Sequence, residues 1–84
     1  MTKQTERFYR AVIRKPDGPG ERVLTGKATR ALAERMATKE AEKVGWHWLV
    51  QHCESLPGGD EGAYRLLEQW SSIAGHEIIE GVDE

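Results

Sequence analysis

The chain has 84 residues, which is enough for one domain and too few for a second. Hydrophobic residues make up 38% and charged residues 31%, and the apolar residues recur in patterned segments, which excludes an intrinsically disordered chain. The single cysteine, Cys53, excludes an intramolecular disulfide, so the fold needs no oxidising compartment.

The beginning of the chain gives no sign of a membrane or secretory signal. Residues 1–7 are polar and lack the apolar core of a signal peptide, and no apolar run approaches the roughly 18–20 residues that span a bilayer. We therefore expect a cytoplasmic protein with one domain over residues 1–84, frayed at 1–6 and 81–84.

Charge is divided unevenly along the chain. Residues 1–45 hold 11 Lys/Arg against 6 Asp/Glu, a net charge of +5, whereas residues 46–84 hold 1 against 8, a net charge of −7. Such a division favours a basic surface for an anionic partner and an acidic surface for a cationic one. The alternative is that the two halves lie together and neutralise each other.

The first predicted element is a β-hairpin over residues 7–25. Residues 7–14 are rich in aromatic and β-branched side chains with a two-residue period, which is typical of a strand. The Pro/Gly cluster at 16–20 predicts a turn, and residues 22–25 predict a short returning strand.

A helix is predicted next, over residues 28–44, where strong helix formers dominate. Thr29 is suited to cap its start, and Gly45 is suited to the left-handed position just after its end. Spacings of three and four give one apolar face. That face comprises Leu32, Ala33, Met36, Ala37, Ala41 and Val44.

The remaining elements are predicted as strand, helix and strand. Residues 46–52 predict a strand with Trp46, Trp48 and Val50 on one face, the alternative being that the first helix continues to about Ser55. Residues 61–74 predict a second helix capped by Asp60, with an apolar stripe of Leu66, Leu67, Trp70, Ile73 and Ala74. Residues 76–80 predict a short final strand. The expected fold is a small α+β domain of order β-β-α-β-α-(β), with an N-terminal hairpin and a sheet packed by two helices.

The sequence gives no reason to expect a catalytic, metal-binding or cofactor-binding motif. His47, His52 and Cys53 are close in sequence, but they lack the second ligand pair of a structural zinc site and alternate in direction along a strand. Cys53 has no evident partner that would activate a thiol nucleophile. The glycine pairs at 18/20 and 58/59 match no phosphate-binding fingerprint. We therefore expect no enzyme activity, no catalytic residue, no metal and no cofactor.

Two sets of residues are the candidates for partner binding. Five basic residues fall on the predicted hairpin, where arginines next to an aromatic residue suit phosphate and nucleobases. The alternative is a solvated face whose charges discourage aggregation, and the pI of about 5.9 is low for a nucleic-acid-binding domain. The tryptophan pair at 46 and 48 is either core or a binding hot spot. The candidates are Arg7, Arg10, Arg14, Lys15, Arg22, Trp46 and Trp48.

Three segments resemble the small accessory proteins of actinobacterial bacteriophages. They are Val23-Leu24-Thr25-Gly26, Ala33-Glu34-Arg35-Met36-Ala37 and Gly45-Trp46-His47-Trp48, in a hairpin-then-helix order that covers residues 8–52. The resemblance implies a protein that acts by binding a host or phage macromolecule, and it assigns no functional residue.

These observations predict a non-enzymatic protein-interaction module, a phage-type modulator of a larger host or phage protein. The alternative is a nucleic-acid-binding module that uses the basic hairpin 7–25. Both predictions are compatible with a homodimer formed through an edge strand.

Overall fold

The alternating pattern at the start of the chain forms one strand of a five-stranded antiparallel sheet. The structure, a computed structural model, describes residues 6–55 and 64–79. The spatial order of the strands is β2-β1-β3-β4-β5. The strands are β1 (Arg7–Arg14), β2 (Glu21–Val23), β3 (His47–Ser55), β4 (Tyr64–Ser71) and β5 (Gly75–Ile78).

A single helix, α1 (Arg30–Val44), lies among the described residues, between β2 and β3 in the chain. The Thr29 side chain accepts a hydrogen bond from the Leu32 amide, which caps the helix start as the sequence predicts. Gly45 has a φ of 75°, a left-handed conformation that glycine adopts without steric cost, and its amide bonds the carbonyl of Ala41.

The helix packs on one side of the sheet through small side chains. Ala33, Ala37 and Ala41 are buried on the helix, and the first two cluster with Ala11 of β1 and Val50 of β3. The helix packs mainly on β1 and β3 and does not contact β5. Its first residue, Arg30, reaches β4, where the guanidinium lies 4.1 Å from the centre of the Trp70 ring. We call this side of the sheet the helix-bearing face and the other side the opposite face.

Strand β3 lies at the centre of the sheet and is buried on both faces. Val50 lies on the helix-bearing face, while Leu49 and Cys53 lie on the opposite face, and all three are at most 1% exposed. Gln51 donates to Gln69 at 3.2 Å, and Gln69 donates to Glu77 at 2.9 Å, so these polar groups have partners across three strands.

The α+β class and most of the element order agree with the sequence prediction. Strand 46–52 is confirmed and the alternative of a continued helix is wrong, since residues 47–55 form β3. The final short strand is confirmed as β5. The predicted boundaries of the hairpin and the first helix differ from the observed ones by about two residues, which is normal for sequence-based boundaries.

The prediction of a second helix over 61–74 is wrong, because residues 64–71 form β4. A β-bulge causes the misleading pattern. Cys53 pairs with Leu66 and His52 pairs with Glu68, so Leu67 is an extra residue on β4. The bulge places two consecutive leucines in a strand, and this breaks the alternation by which a strand is recognised. The Asp60 cap and the glycines at 58 and 59 lie outside the described residues.

Candidate functional site

The five basic residues of the predicted hairpin do not form one surface. Arg7 lies on the helix-bearing face, as does Arg22, which pairs with Ile13. Arg10 and Arg14 lie on the opposite face, and Lys15 lies in the turn after β1. In addition, β1 is hydrogen-bonded to β2 on one side and to β3 on the other, so these two strands do not form an isolated ribbon.

Four of these basic side chains already have partners within the chain. The Arg14 guanidinium lies 2.6 Å from the Glu21 carboxylate, and that of Arg22 lies 3.8 Å from Glu40. Arg7 lies 3.4 Å from Glu54, whose side chain is 9% exposed. Arg10 donates a hydrogen bond to the Tyr64 hydroxyl and lies over its ring. These contacts reduce the positive charge that the hairpin presents to a partner.

The ion pairs also bear on the charge division between the two halves of the chain. Among the Lys/Arg ion pairs of the described residues, Arg7–Glu54 joins the halves, whereas Arg14–Glu21, Arg22–Glu40 and Lys27–Glu6 lie within the first half. Three basic residues of the first half thus pair with carboxylates of the same half, whose net charge remains +5. The excess negative charge of the second half is not neutralised by the described basic residues of the first.

The two candidate tryptophans are both half-buried. Trp48 packs against the core under the helix, which places it on the same face as Val50, as predicted. Trp46 lies just before β3, and the Arg22 guanidinium lies 5.5 Å from the centre of its ring. Neither side chain forms an exposed aromatic patch. The role of these seven residues in partner binding stays a prediction.

Cys53 is buried next to the sheet centre and is fully protected from solvent. Burial raises the pKa of its thiol to about 11, and the positive charge of Arg10 offsets only part of that rise. The thiol is therefore protonated at neutral pH, which is unsuited to a nucleophile. Cys53 and His52 are consecutive strand residues on opposite faces, and His47 is at the other end of β3.

A histidine–carboxylate cluster that the sequence did not reveal lies on the helix-bearing face, beyond the helix. Glu68 of β4 bonds His52 Nδ1 through one carboxylate oxygen at 2.8 Å and His76 Nε2 through the other at 2.9 Å. The His52 ring stacks on Tyr9 at 4.4 Å, and the His76 ring stacks on Trp70 at 5.0 Å. We call His52, Glu68 and His76 the histidine cluster. It links the three strands β3, β4 and β5.

In the histidine cluster, both carboxylate oxygens of Glu68 are hydrogen-bonded, each to one histidine ring nitrogen. No group of three His, Cys, Asp or Glu side chains in residues 6–55 and 64–79 has an arrangement that would hold a metal ion. Hydrogen bonding from His76 lowers the pKa of Glu68 below its usual value of 4.5, against an opposing effect of burial, and the bond and charge of His52 lower it further. The arrangement is thus a hydrogen-bonded support for the β4–β5 hairpin.

This support predicts a specific acid sensitivity. Because the folded-state pKa of Glu68 lies below 4.5, its ionised form stabilises the fold above that pH, and this stabilisation is lost as pH falls through the folded-state value. The free energy of unfolding of the wild type should decrease as the pH is lowered from about 5 to the lowest value at which the chain stays folded. We expect this decrease to be smaller in Glu68→Gln. Urea denaturation at a series of pH values measures this. The matched control is Glu42→Gln, on the exposed helix surface, which should keep the wild-type pH slope; an unchanged slope in Glu68→Gln would contradict the prediction.

Three exposed isoleucines lie along the β4–β5 hairpin. Ile78 of β5 is 65% exposed, Ile79 just after it is 48% exposed, and Ile73 in the preceding turn is 50% exposed. The helix does not contact β5. The sequence signal for this region is the isolated pair Ile78-Ile79 between glutamates 77 and 80, which gives a short strand an apolar surface with acidic flanks.

A second exposed apolar region lies beside the helix. Leu24 and Met36 line an open groove of about 690 Å³ together with charged side chains of both signs. The charged lining residues are Lys39, Glu40, Glu42 and Lys43. With opposite charges in equal number, this groove gives no preference for a partner of either sign.

No helix in the described part of the chain is both long and apolar enough to cross a membrane. No known protein-family model matches the chain, and no curated protein or solved structure was found to be similar to it.

Proposed function

We propose that the chain is a non-enzymatic protein-interaction module, a phage-type modulator that binds a larger host or phage protein. The observation that carries the proposal is the exposure of Ile78 and Ile79, on the two faces of the edge strand β5, which the helix does not contact. Large apolar side chains left exposed at an open sheet edge are a feature of protein-binding surfaces.

The chemistry of the described residues supports binding rather than catalysis. The thiol of Cys53 is buried and protonated, and the carboxylate of Glu68 is bonded to two histidines. Neither group is free to accept a proton from a substrate or to attack one.

The alternative, nucleic-acid binding through the hairpin 7–25, has weaker support. Its arginines are divided between two faces, and Arg14 and Arg22 each contact a carboxylate. Phosphate binding would have to displace these carboxylates.

The test is affinity capture with the tagged full chain, performed with and without nuclease. We expect one protein to be retained after nuclease treatment, and the purified pair to form a complex of fixed stoichiometry in native mass spectrometry. Loss of all bound protein would overturn the proposal. Bound material that absorbs at 260 nm, disappears with nuclease and weakens steeply with salt would instead establish the alternative.

A further inference from the structure

Among residues 6–55 and 64–79, no strand pairs with the outer edge of β5. The sheet order ends at β5. The amide of Ile79 donates a hydrogen bond to the carbonyl of Leu67 at 3.0 Å. Two residues before Ile79 on the same strand, Glu77 is paired with Gln69 of β4. Since hydrogen-bonded positions alternate in an antiparallel pair, Glu77 bonds inward to β4, while the amides and carbonyls of His76 and Ile78 point away from the sheet. We call this outer side of β5 the β5 edge.

The β5 edge differs from the edge at the other end of the sheet. That edge, β2, has three residues, of which Glu21 and Arg22 are charged and engaged in ion pairs, and it follows a turn rich in proline and glycine. Short, charged edges discourage pairing with other chains. By contrast, β5 has no lysine or proline, and it exposes Ile78 to the extent of 65%.

The side chains along the β5 edge determine which residue types a neighbouring strand needs. His76 and Ile78 lie on the helix-bearing face, and Glu77 and Ile79 on the opposite face. A paired strand with alternating residue types would set apolar residues beside Ile78 and cationic residues beside Glu77. The net charge of −7 over residues 46–84 attracts a basic segment over a longer range.

A second copy of the chain meets these requirements poorly. Symmetric antiparallel pairing centred on Glu77 would place this residue opposite the Glu77 of the other copy, and like charges directly opposite each other are destabilising. Each copy would also bring the same acidic half to the contact.

We propose that the β5 edge binds an extended segment of another protein, in which apolar residues alternate with lysine or arginine, as a sixth strand of the sheet. This inference rests on the proposed function and specifies the site and chemistry of the partner. Main-chain hydrogen bonds to His76 and Ile78 supply part of the affinity, and the side chains beside Ile78 and Glu77 supply the selectivity.

The experiment titrates the ¹⁵N-labelled full chain with a synthetic peptide of about nine residues that alternates valine and lysine, a length sufficient for one strand. We expect chemical-shift changes centred on 75–79, together with slower hydrogen exchange at the His76 and Ile78 amides. A peptide with glutamate in place of lysine, and one with proline at its central positions, should each bind at least about tenfold more weakly. Equal binding of all three peptides, or shift changes elsewhere, would overturn the proposal.

Two variants of the chain distinguish binding at the β5 edge from non-specific binding. Ile78→Lys should weaken binding of the valine–lysine peptide at least about tenfold. The control Val23→Lys, which places lysine at a 51% exposed apolar position on β2 at the other edge of the sheet, should not. Sedimentation of the chain alone tests the competing occupant, since a dimer that Ile78→Lys dissociates would mean that a second copy occupies the edge.

The outcome also distinguishes this inference from the proposed function. If a captured partner protein binds the Ile78→Lys variant as tightly as the wild type, the proposed function stands and the β5 edge is not its site. If no protein is captured at all, the proposed function itself fails.

Discussion

Replacing Ala37 with leucine is expected to lower the free energy of unfolding by about 1–3 kcal/mol, a large fraction of the stability of a domain this small. Ala37 is fully buried on the helix face that packs against Ala11 and Val50. Its methyl group allows the helix to lie close to the sheet. Protein interiors are packed too densely to accept three further carbon atoms there without moving the helix or straining a rotamer.

Urea denaturation at neutral pH measures this effect through the midpoint of unfolding. The matched control is Arg35→Leu, which adds the same side chain to an exposed position of the same helix and should change the free energy of unfolding by less than about 0.5 kcal/mol. Leucine and alanine are both good helix formers, so helix propensity contributes little to the difference. If Ala37→Leu is as stable as the wild type, the helix does not sit on the sheet through its alanines.

Replacing Leu49 with alanine is expected to cost about 2–5 kcal/mol of unfolding free energy. Leu49 lies on the opposite face of the central strand β3, between Val12 of β1 and Ser71 of β4. It is 0% exposed, as is Val12. Truncation removes buried methyl groups and leaves a cavity that the surrounding strands can fill only in part.

This substitution tests whether the sheet has a packed layer on the side away from the helix. Thermal or urea unfolding measures the loss of unfolding free energy. The control is Val23→Ala, because Val23 pairs with Val12 but is 51% exposed. The control should lose less than about 0.5 kcal/mol. A loss of similar size in both variants would contradict a packed layer around Leu49.

The first half of the fold could be predicted because its signals are local. The alternation at 7–14, the Thr29 cap and the left-handed Gly45 each depend on residues close in sequence, and each is present in the structure. Strand β3 was also predictable, since Gly45 ends the helix and the aromatic and β-branched residues after it suit a strand.

Strand β4 could not be predicted from its own residues. The apolar spacing of Leu66, Leu67, Trp70 and Ile73 fits a helix, and the strand is recognisable only when β3 supplies the opposing residues and the bulge. The pairing of a strand with its neighbours decides its conformation more than intrinsic preference does.

The histidine cluster was missed for the same reason. Its members are separated by 16 residues between His52 and Glu68 and by 8 between Glu68 and His76, and only the register of β3, β4 and β5 brings them together. The β5 edge likewise follows from the order of strands. By contrast, the sequence drew attention to arginines and tryptophans whose partners lie within the chain.

The position of β1 between β2 and β3 has a consequence for how the chain folds. Arg7 pairs with Glu54, so this part of the sheet cannot form until nearly two thirds of the chain is available. During synthesis the β1–β2 hairpin and the helix emerge first, but without β3 they lack the central strand on which both depend. Pairings so distant in sequence are slow to form, because loop closure costs entropy before any contact is gained. We therefore expect refolding in milliseconds to seconds rather than microseconds, with β3 limiting the rate at which the rest of the sheet assembles.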